Sequence, residues 1–277
     1  MVRSLGTVEF LAAPRRRLTA LVAICVATLT FIIPAGAITN GELDGNRHPA
    51  VVLLLMEVNG QPAFRCSGTL LSPTVLLTAG HCAGAPGEFS GMRVFTESDV
   101  QNGDNNYPFA GPNSVEAVTW SAHPLYNPDA FFLHDVGVVV LQNPGVKLKR
   151  ASYGVLPKKD ELDSLQPRSS TVFTSVGYGL QQINPAFTTS ARIRMFAQPH
   201  LLQVNTGFTG DFSLLLSNNH RTGGTCFGDS GGPNFLGLSN VIAGVTSFGL
   251  NGTCGGTGGV FRVDRQNVLD FVNSYLD

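Results

Sequence analysis

The chain predicts an all-β protein. Short apolar runs recur along most of its length, each bounded by Gly, Pro, Asn or Asp, the pattern of strands joined by tight turns. With 32 Gly and 16 Pro, turn residues are never far away. Strand-like and helix-like segments do not alternate clearly, which argues against an α/β sheet. The 277 residues are 43% hydrophobic and only 13% charged, enough for one substantial core or two smaller ones packed together.

Residues 1–37 have the order of a secretory leader. Arg15, Arg16 and Arg17 form a basic segment, and Leu18–Ile33 carries no charge. Pro34-Ala35-Gly36-Ala37 supplies small residues at a cleavage point. The alternative is a membrane anchor, since the apolar stretch approaches spanning length. The Ala-x-Ala ending favours the leader. Without this segment the formal charge moves from −1 to −4, with 14 basic and 18 acidic residues. No basic patch points to nucleic acid.

Candidate strands in the first half are Ala50–Val58, Ala63–Leu71, Thr74–Ala79, Val115–Trp120 and Val136–Leu141. Gln142–Pro157, with Pro144 and Gly145, reads as a crossing between halves. The second half offers Thr171–Val176, Ala191–Ala197, Val241–Phe248 and Gly259–Val263. The chain ends on an amphipathic helix, with Asp264 as its cap and Val268, Phe271, Val272, Tyr275 and Leu276 on one face.

Three short motifs carry chemistry. Gly228-Asp229-Ser230-Gly231-Gly232-Pro233 sets a serine in a glycine-rich turn. A serine hydroxyl becomes nucleophilic when a base takes its proton and backbone N–H groups await the oxyanion. Leu77-Thr78-Ala79-Gly80-His81-Cys82 offers the base, because an imidazole titrates near neutrality. His134-Asp135-Val136 offers a carboxylate at the head of an apolar strand, where it is costly unless paired. His134 is expected on the opposite strand face, as a bystander. Gly228 to Gly232 also fits the nucleophile elbow of α/β-hydrolases, but there the histidine follows the serine. The histidines here are 48, 81, 123, 134, 200 and 220, so the elbow is excluded. Cys25 leaves with the leader, and Cys66, Cys82, Cys226 and Cys254 allow three disulfide pairings. Their spacing lacks the close pairs of a zinc fold.

On these motifs, in the order His81, Asp135, Ser230 with separations of 54 and 95 residues, the chain resembles the chymotrypsin/trypsin family of serine endopeptidases over nearly all of 38–277. The resemblance implies two six-stranded antiparallel β-barrels, about 38–145 and 155–263, and a C-terminal α-helix at about 264–276. It implies catalysis by His81, Asp135 and Ser230, with Gly228 and Ser230 N–H groups as the oxyanion hole. It selects Cys66–Cys82 and Cys226–Cys254. It implies that cleavage after Ala37 frees an Ile38 amine to pair with Asp229, so that leader removal and activation coincide. It puts Gly224 at the floor of the substrate pocket, with Thr225, Ser247, Phe248, Gly249 and Gly259 around it. Gly224 and Gly259 offer no carboxylate, so uncharged aromatic or leucine-like side chains are expected. Glu97, Asp99 and Asp104 lie near where some relatives bind calcium, but solvated loop acids are the commoner case, and no metal or cofactor is expected. Asn251-Gly252-Thr253 fits a glycosylation acceptor. The expected partners are protein or peptide substrates and protein inhibitors. A secreted, extracellular monomer without stable membrane association is expected. The rival is a catalytically silent protein that keeps the fold for binding.

Overall fold

The structure, a computed structural model, describes residues 38–184, 187–207 and 209–276. The expected leader, residues 1–37, lies outside the described residues.

The first strand, β1 (Glu42–Leu43), precedes a closed barrel made of β2 (Val51–Val58), β3 (Gln61–Leu70), β4 (Val75–Thr78), β5 (Gly91–Phe95), β6 (Ser114–Ala122) and β7 (Gly137–Leu141). The barrel closes in the order β2-β3-β4-β7-β6-β5. A one-turn helix, α1 (Gly80–Ala83), follows β4. In the second half come β8 (Arg168–Gly177), the hairpin β9 (Gln182–Asn184) and β10 (Phe187–Thr189), then β11 (Met195–Ala197), β12 (His200–Thr206), β13 (Gly210–Asn218), β14 (Pro233–Leu236), β15 (Ile242–Gly249) and β16 (Gly256–Arg262). Strands β8-β12-β13-β16-β15-β14 run in sequence, and β14 pairs back to β8, closing a second six-stranded ring. Both barrels are antiparallel throughout. The helix α2 (Gln266–Asn273) follows.

Closure removes free sheet edges. It also explains the uninterrupted apolar run Val51–Met56, buried throughout. One strand face fills the first barrel, and the other meets the second barrel. A single core cluster accordingly joins Leu53, Leu76 and Val139 to Val176, Phe235, Ile242 and Phe261. A separate cluster of Leu162, Phe173, Leu201, Leu214, Leu216, Ala243 and Val260 fills the second barrel.

Several local expectations change. Strands β5, β12, β13 and β14 escaped the sequence pattern. In β12 two register shifts break the alternation that would have revealed it. β14 begins at Pro233, hidden behind the glycine turn. The helix is shorter than 264–276, and Asp264 does not cap it. Asp264 is fully buried and receives Arg262 Nε at 2.9 Å, Arg262 Nη2 at 2.7 Å and the Leu162 N–H at 2.9 Å. A buried guanidinium requires a carboxylate more than a helix end does. His134 is not a strand residue: it turns ahead of β7 with φ 52° and stacks on His123, ring centroids 5.2 Å apart.

Residues 38–43 precede the first barrel but pair with the second half. Thr39 bridges Gly224, and Glu42 and Leu43 pair with Phe196 and Met195 of β11. Arg194, fully buried, donates through Nε to Asp44 at 2.8 Å and locks this segment down. Among the described residues, no helix is long and apolar enough to cross a membrane.

Candidate active site

His81 sits in α1, where the chain leaves β4. The Cys66–Cys82 disulfide ties that turn to β3, and Cys226–Cys254 ties the serine turn to the segment after β15. Both pairings are those the resemblance selected. Asp135 lies just ahead of β7, which pairs with β4, so the two side chains are delivered by neighbouring strands.

Asp135 is completely buried, and its oxygens are well partnered. His81 Nδ1 lies 3.1 Å from Oδ1 and 3.0 Å from Oδ2. The His81 backbone N–H donates to Oδ1 at 2.9 Å, and the Ser247 hydroxyl donates to Oδ2 at 2.5 Å. Proton sharing with a carboxylate makes Nδ1 the donor, which leaves Nε2 as the acceptor. Burial pulls the imidazole pKa down, but the charge and hydrogen bond of Asp135 outweigh it, so His81 stands above its ordinary value. Phe131 covers the ring edge-on, centroids 6.0 Å apart.

The serine turn comes from the other barrel. A trans peptide is planar, so fixing its carbonyl fixes the N–H on the opposite side. The Phe227 carbonyl accepts the Leu180 N–H at 2.8 Å, which orients the Gly228 N–H. The Asp229 carbonyl accepts the Gly232 N–H at 2.8 Å, which orients the Ser230 N–H. Neither the Gly228 nor the Ser230 N–H has a hydrogen-bond partner among the described residues. Two fixed and unused donors flanking a serine hydroxyl suit a developing oxyanion. Glycine is required at two points. Gly228 has φ +94°. Gly231 has φ +76°, and a Cβ there would lie 2.0 Å from Thr78 Oγ1.

Ser230 and His81 line one cavity of about 250 Å³. Ser230 Oγ makes no hydrogen bond among the described residues, so the proton path from serine to imidazole is unclosed in this state. Such contacts are often long in the absence of substrate. A larger hollow of about 500 Å³ beside β6, lined by Trp120 and Tyr126, contains none of the three residues.

Of the predicted pocket residues, Thr225, Ser247, Phe248 and Gly249 line the cavity, together with Phe131 and Phe227. Gly224 and Gly259 are not among the residues lining this cavity. Gly224 is held by two backbone bonds to Thr39, and a Cβ on it would meet the Asn218 side chain at 2.3 Å. Gly259 lies beneath the Phe248 ring, where a Cβ would come within 2.3 Å of that ring. Phe248 and Gly259 are cross-strand partners, so the ring fills the space the glycine leaves. Among the described residues, no Asp, Glu, Lys or Arg lines the cavity.

The expected Ile38–Asp229 pair requires cleavage after Ala37. Ile38 is buried beside Met195 and Ala197, and its nitrogen is still in a peptide bond to Ala37. Asp229 instead receives the Gly179 N–H at 2.7 Å and the Cys226 N–H at 2.9 Å. Burial outweighs those two bonds and the nearby Arg65 charge, pushing its pKa up to about 7. An uncleaved nitrogen carries no charge to offset that burial. The acidic loop is similarly self-contained: Glu97 accepts from the Asp104 N–H and Asn105, and Asp99 from Asn102.

Two contributors have roles that the sequence does not reveal. Ser247 was expected to touch substrate, yet its hydroxyl holds Asp135. Ser67 was not singled out, though its N–H donates to the Ser230 carbonyl at 2.8 Å. The available signal was a hydroxyl residue beside Cys66 at the start of a buried run.

Comparison with known proteins agrees with this geometry. The Trypsin family model matches residues 40–272. A trypsin from Simulium vittatum is 25% identical, with 83% of this chain and 92% of the relative covered. Brachyurin from Leptuca pugilator is 30% identical, with 69% of this chain and 78% of the relative covered. The crystal structure of HL collagenase superposes with a TM-score of 0.67 at 24% identity, covering 86% of this chain and 98% of that one, which supports the fold. With paired barrels, a histidine–carboxylate couple and a serine turn beside the same cavity, the chain belongs to the trypsin family of serine proteases.

Proposed function

We propose that this chain is an active serine endopeptidase that cleaves through an acyl-enzyme. Ser230 Oγ attacks the scissile carbonyl as His81 Nε2 takes its proton. The Gly228 and Ser230 N–H groups hold the oxyanion, and Asp135 stabilises the imidazolium. His81 then protonates the leaving amine, whose C–N bond breaks. Water, deprotonated by His81, attacks the Ser230 ester. The acid is released and the serine hydroxyl restored. The observation that carries the proposal is the fully buried Asp135 holding His81 Nδ1, with His81 and Ser230 facing one cavity.

The cavity's aromatic walls, and the lack of charged side chains among the described residues that line it, support a preference for uncharged, aromatic or leucine-like residues before the scissile bond. Burying such a side chain contributes about 1.5–3 kcal/mol. Two disulfides and the composition of residues 1–37 support a secreted protein matured by cleavage after Ala37.

The test is digestion of a proteome-derived peptide library by the mature chain, beside Ser230→Ala. Cleavage after uncharged large residues, and labelling by a phosphonate probe that is lost in S230A, support the proposal. Cuts dominated by Arg or Lys refute the pocket preference. Neither cleavage nor labelling leaves the silent binding protein.

A further inference from the structure

Between the two N–H groups assigned to the oxyanion lies one peptide, Gly228–Asp229. Gly228 carries no Cβ and has φ +94°, so its own sterics restrict this peptide weakly. The Asp229 N–H is held by the Cys226 carbonyl at 3.0 Å. The opposite end, the Gly228 carbonyl, is held from the other barrel. It accepts the Ser67 hydroxyl at 3.0 Å.

Ser67 has little freedom to do otherwise. Its side chain is fully buried. Its oxygen accepts the Tyr178 N–H at 3.0 Å, which directs the hydroxyl proton to the Gly228 carbonyl. Its own N–H donates to the Ser230 carbonyl at 2.8 Å, and its carbonyl accepts Thr78 Oγ1 at 2.9 Å. One residue of β3 thus binds both ends of the segment from Gly228 to Ser230.

We infer that Ser67 is a positioning residue: its hydroxyl holds the oxyanion-binding turn in register with the first barrel, where His81 and Asp135 reside. The inference rests on the serine-peptidase proposal above. Ser67 touches no reacting atom. It acts by fixing the plane of the peptide between the two donors, so that both point at one site when charge develops there. Without the hydroxyl, the Gly228 carbonyl and the Tyr178 N–H both lose a buried partner. The peptide is then free to rotate toward other donors.

The test is Ser67→Ala, assayed with a peptide ester and a peptide anilide, with active sites counted by phosphonate titration. Per titrated site, kcat falls about 10–100-fold, less than the loss of a whole donor. KM changes less than twofold, and the acid limb of the pH profile, set by His81, does not move. Affinity for a peptide boronate, which forms a tetrahedral adduct on Ser230, falls in proportion to kcat/KM. A merely structural role would lower the melting temperature and leave kcat per titrated site within twofold of the parent. That outcome overturns the inference. If Ser67→Ala does not accumulate as folded protein, Ser67→Gly is measured with the same two outcomes. A parent that neither cleaves nor labels at Ser230 defeats the underlying proposal, whereas an active parent with an equally active variant defeats only the role of Ser67.

Discussion

Replacing Asp135 with Asn changes one atom and tests the site most directly. The carboxylate serves donors on opposite sides: the His81 N–H at Oδ1, the Ser247 hydroxyl at Oδ2 and His81 Nδ1 between them. An amide has only one oxygen. The His81 N–H is fixed in the backbone and must keep it, while the Ser247 hydroxyl can rotate and accept from the new NH2. That NH2 then faces Nδ1 from the Oδ2 position, which lies 3.0 Å away. The imidazole answers by carrying its proton on Nε2, and Nε2 no longer accepts from Ser230. General-base catalysis contributes about 10²–10⁴-fold. Loss of the negative charge beside the imidazolium adds to it, so kcat falls about 10⁴-fold, or about 5 kcal/mol, the size this substitution has in the chymotrypsin serine–histidine–aspartate triad. The assay is hydrolysis of a chromogenic peptide at several pH values, with folded protein checked by circular dichroism. A folded D135N variant within tenfold of the parent would refute the tautomer argument.

Other outcomes follow from single contacts. Ser247→Ala removes a hydroxyl donor to a buried carboxylate and destabilises the protein by about 1.5–3 kcal/mol in urea denaturation. The parent's kcat/KM rises with a midpoint above the ordinary imidazole value, because His81 must be neutral to act and Asp135 holds its pKa up. In the chain with the Ala37–Ile38 bond intact, Asp229 is raised from 3.8 to about 7. Its neutral form is therefore favoured by folding. That contribution is complete below about pH 4 and fades as pH climbs through about 7, a loss on the order of 4 kcal/mol. Denaturation midpoints at pH 4 and pH 8 measure it, and equal midpoints would contradict it. Gly224→Asp creates no cleavage after Arg or Lys, because Gly224 faces Asn218 rather than the cavity. It also lowers the melting temperature, since its Cβ would lie 2.3 Å from that side chain. A peptide-library digest and a thermal melt check both.

The sequence displayed the groups that a reaction needs and concealed most of those that hold them. His81, Asp135 and Ser230 stand in short motifs whose neighbours announce a turn or a strand end. Both disulfide pairings followed from resemblance, since four cysteines alone leave three choices. The two barrels also rested on that resemblance, because strands such as β12 lose their alternation to bulges. Ser67 and Ser247 read as ordinary strand hydroxyls. Their importance comes from partners 161 and 112 residues away, which no local pattern encodes. Asp264 misled for the opposite reason: its position suited a helix cap, but a buried Arg262 two residues back took it. The pocket floor is hard to read because counting from Cys226 gives a position, while the surroundings of that position depend on Thr39 and Asn218.

The pairing of β1 with β11 has a consequence for birth on the ribosome. Glu42 emerges early, yet its partner Phe196 is made only after the entire first barrel and β8, the first strand of the second. At ordinary translation speeds the leading segment waits on the order of 10 s for that partner. The nascent first barrel can close in the meantime, but residues 38–43 and the Asp44 carboxylate must dangle until Arg194 arrives. The earliest-made piece of the folded domain therefore docks only after the barrel that follows it in the chain, and it acts as a clasp across both halves.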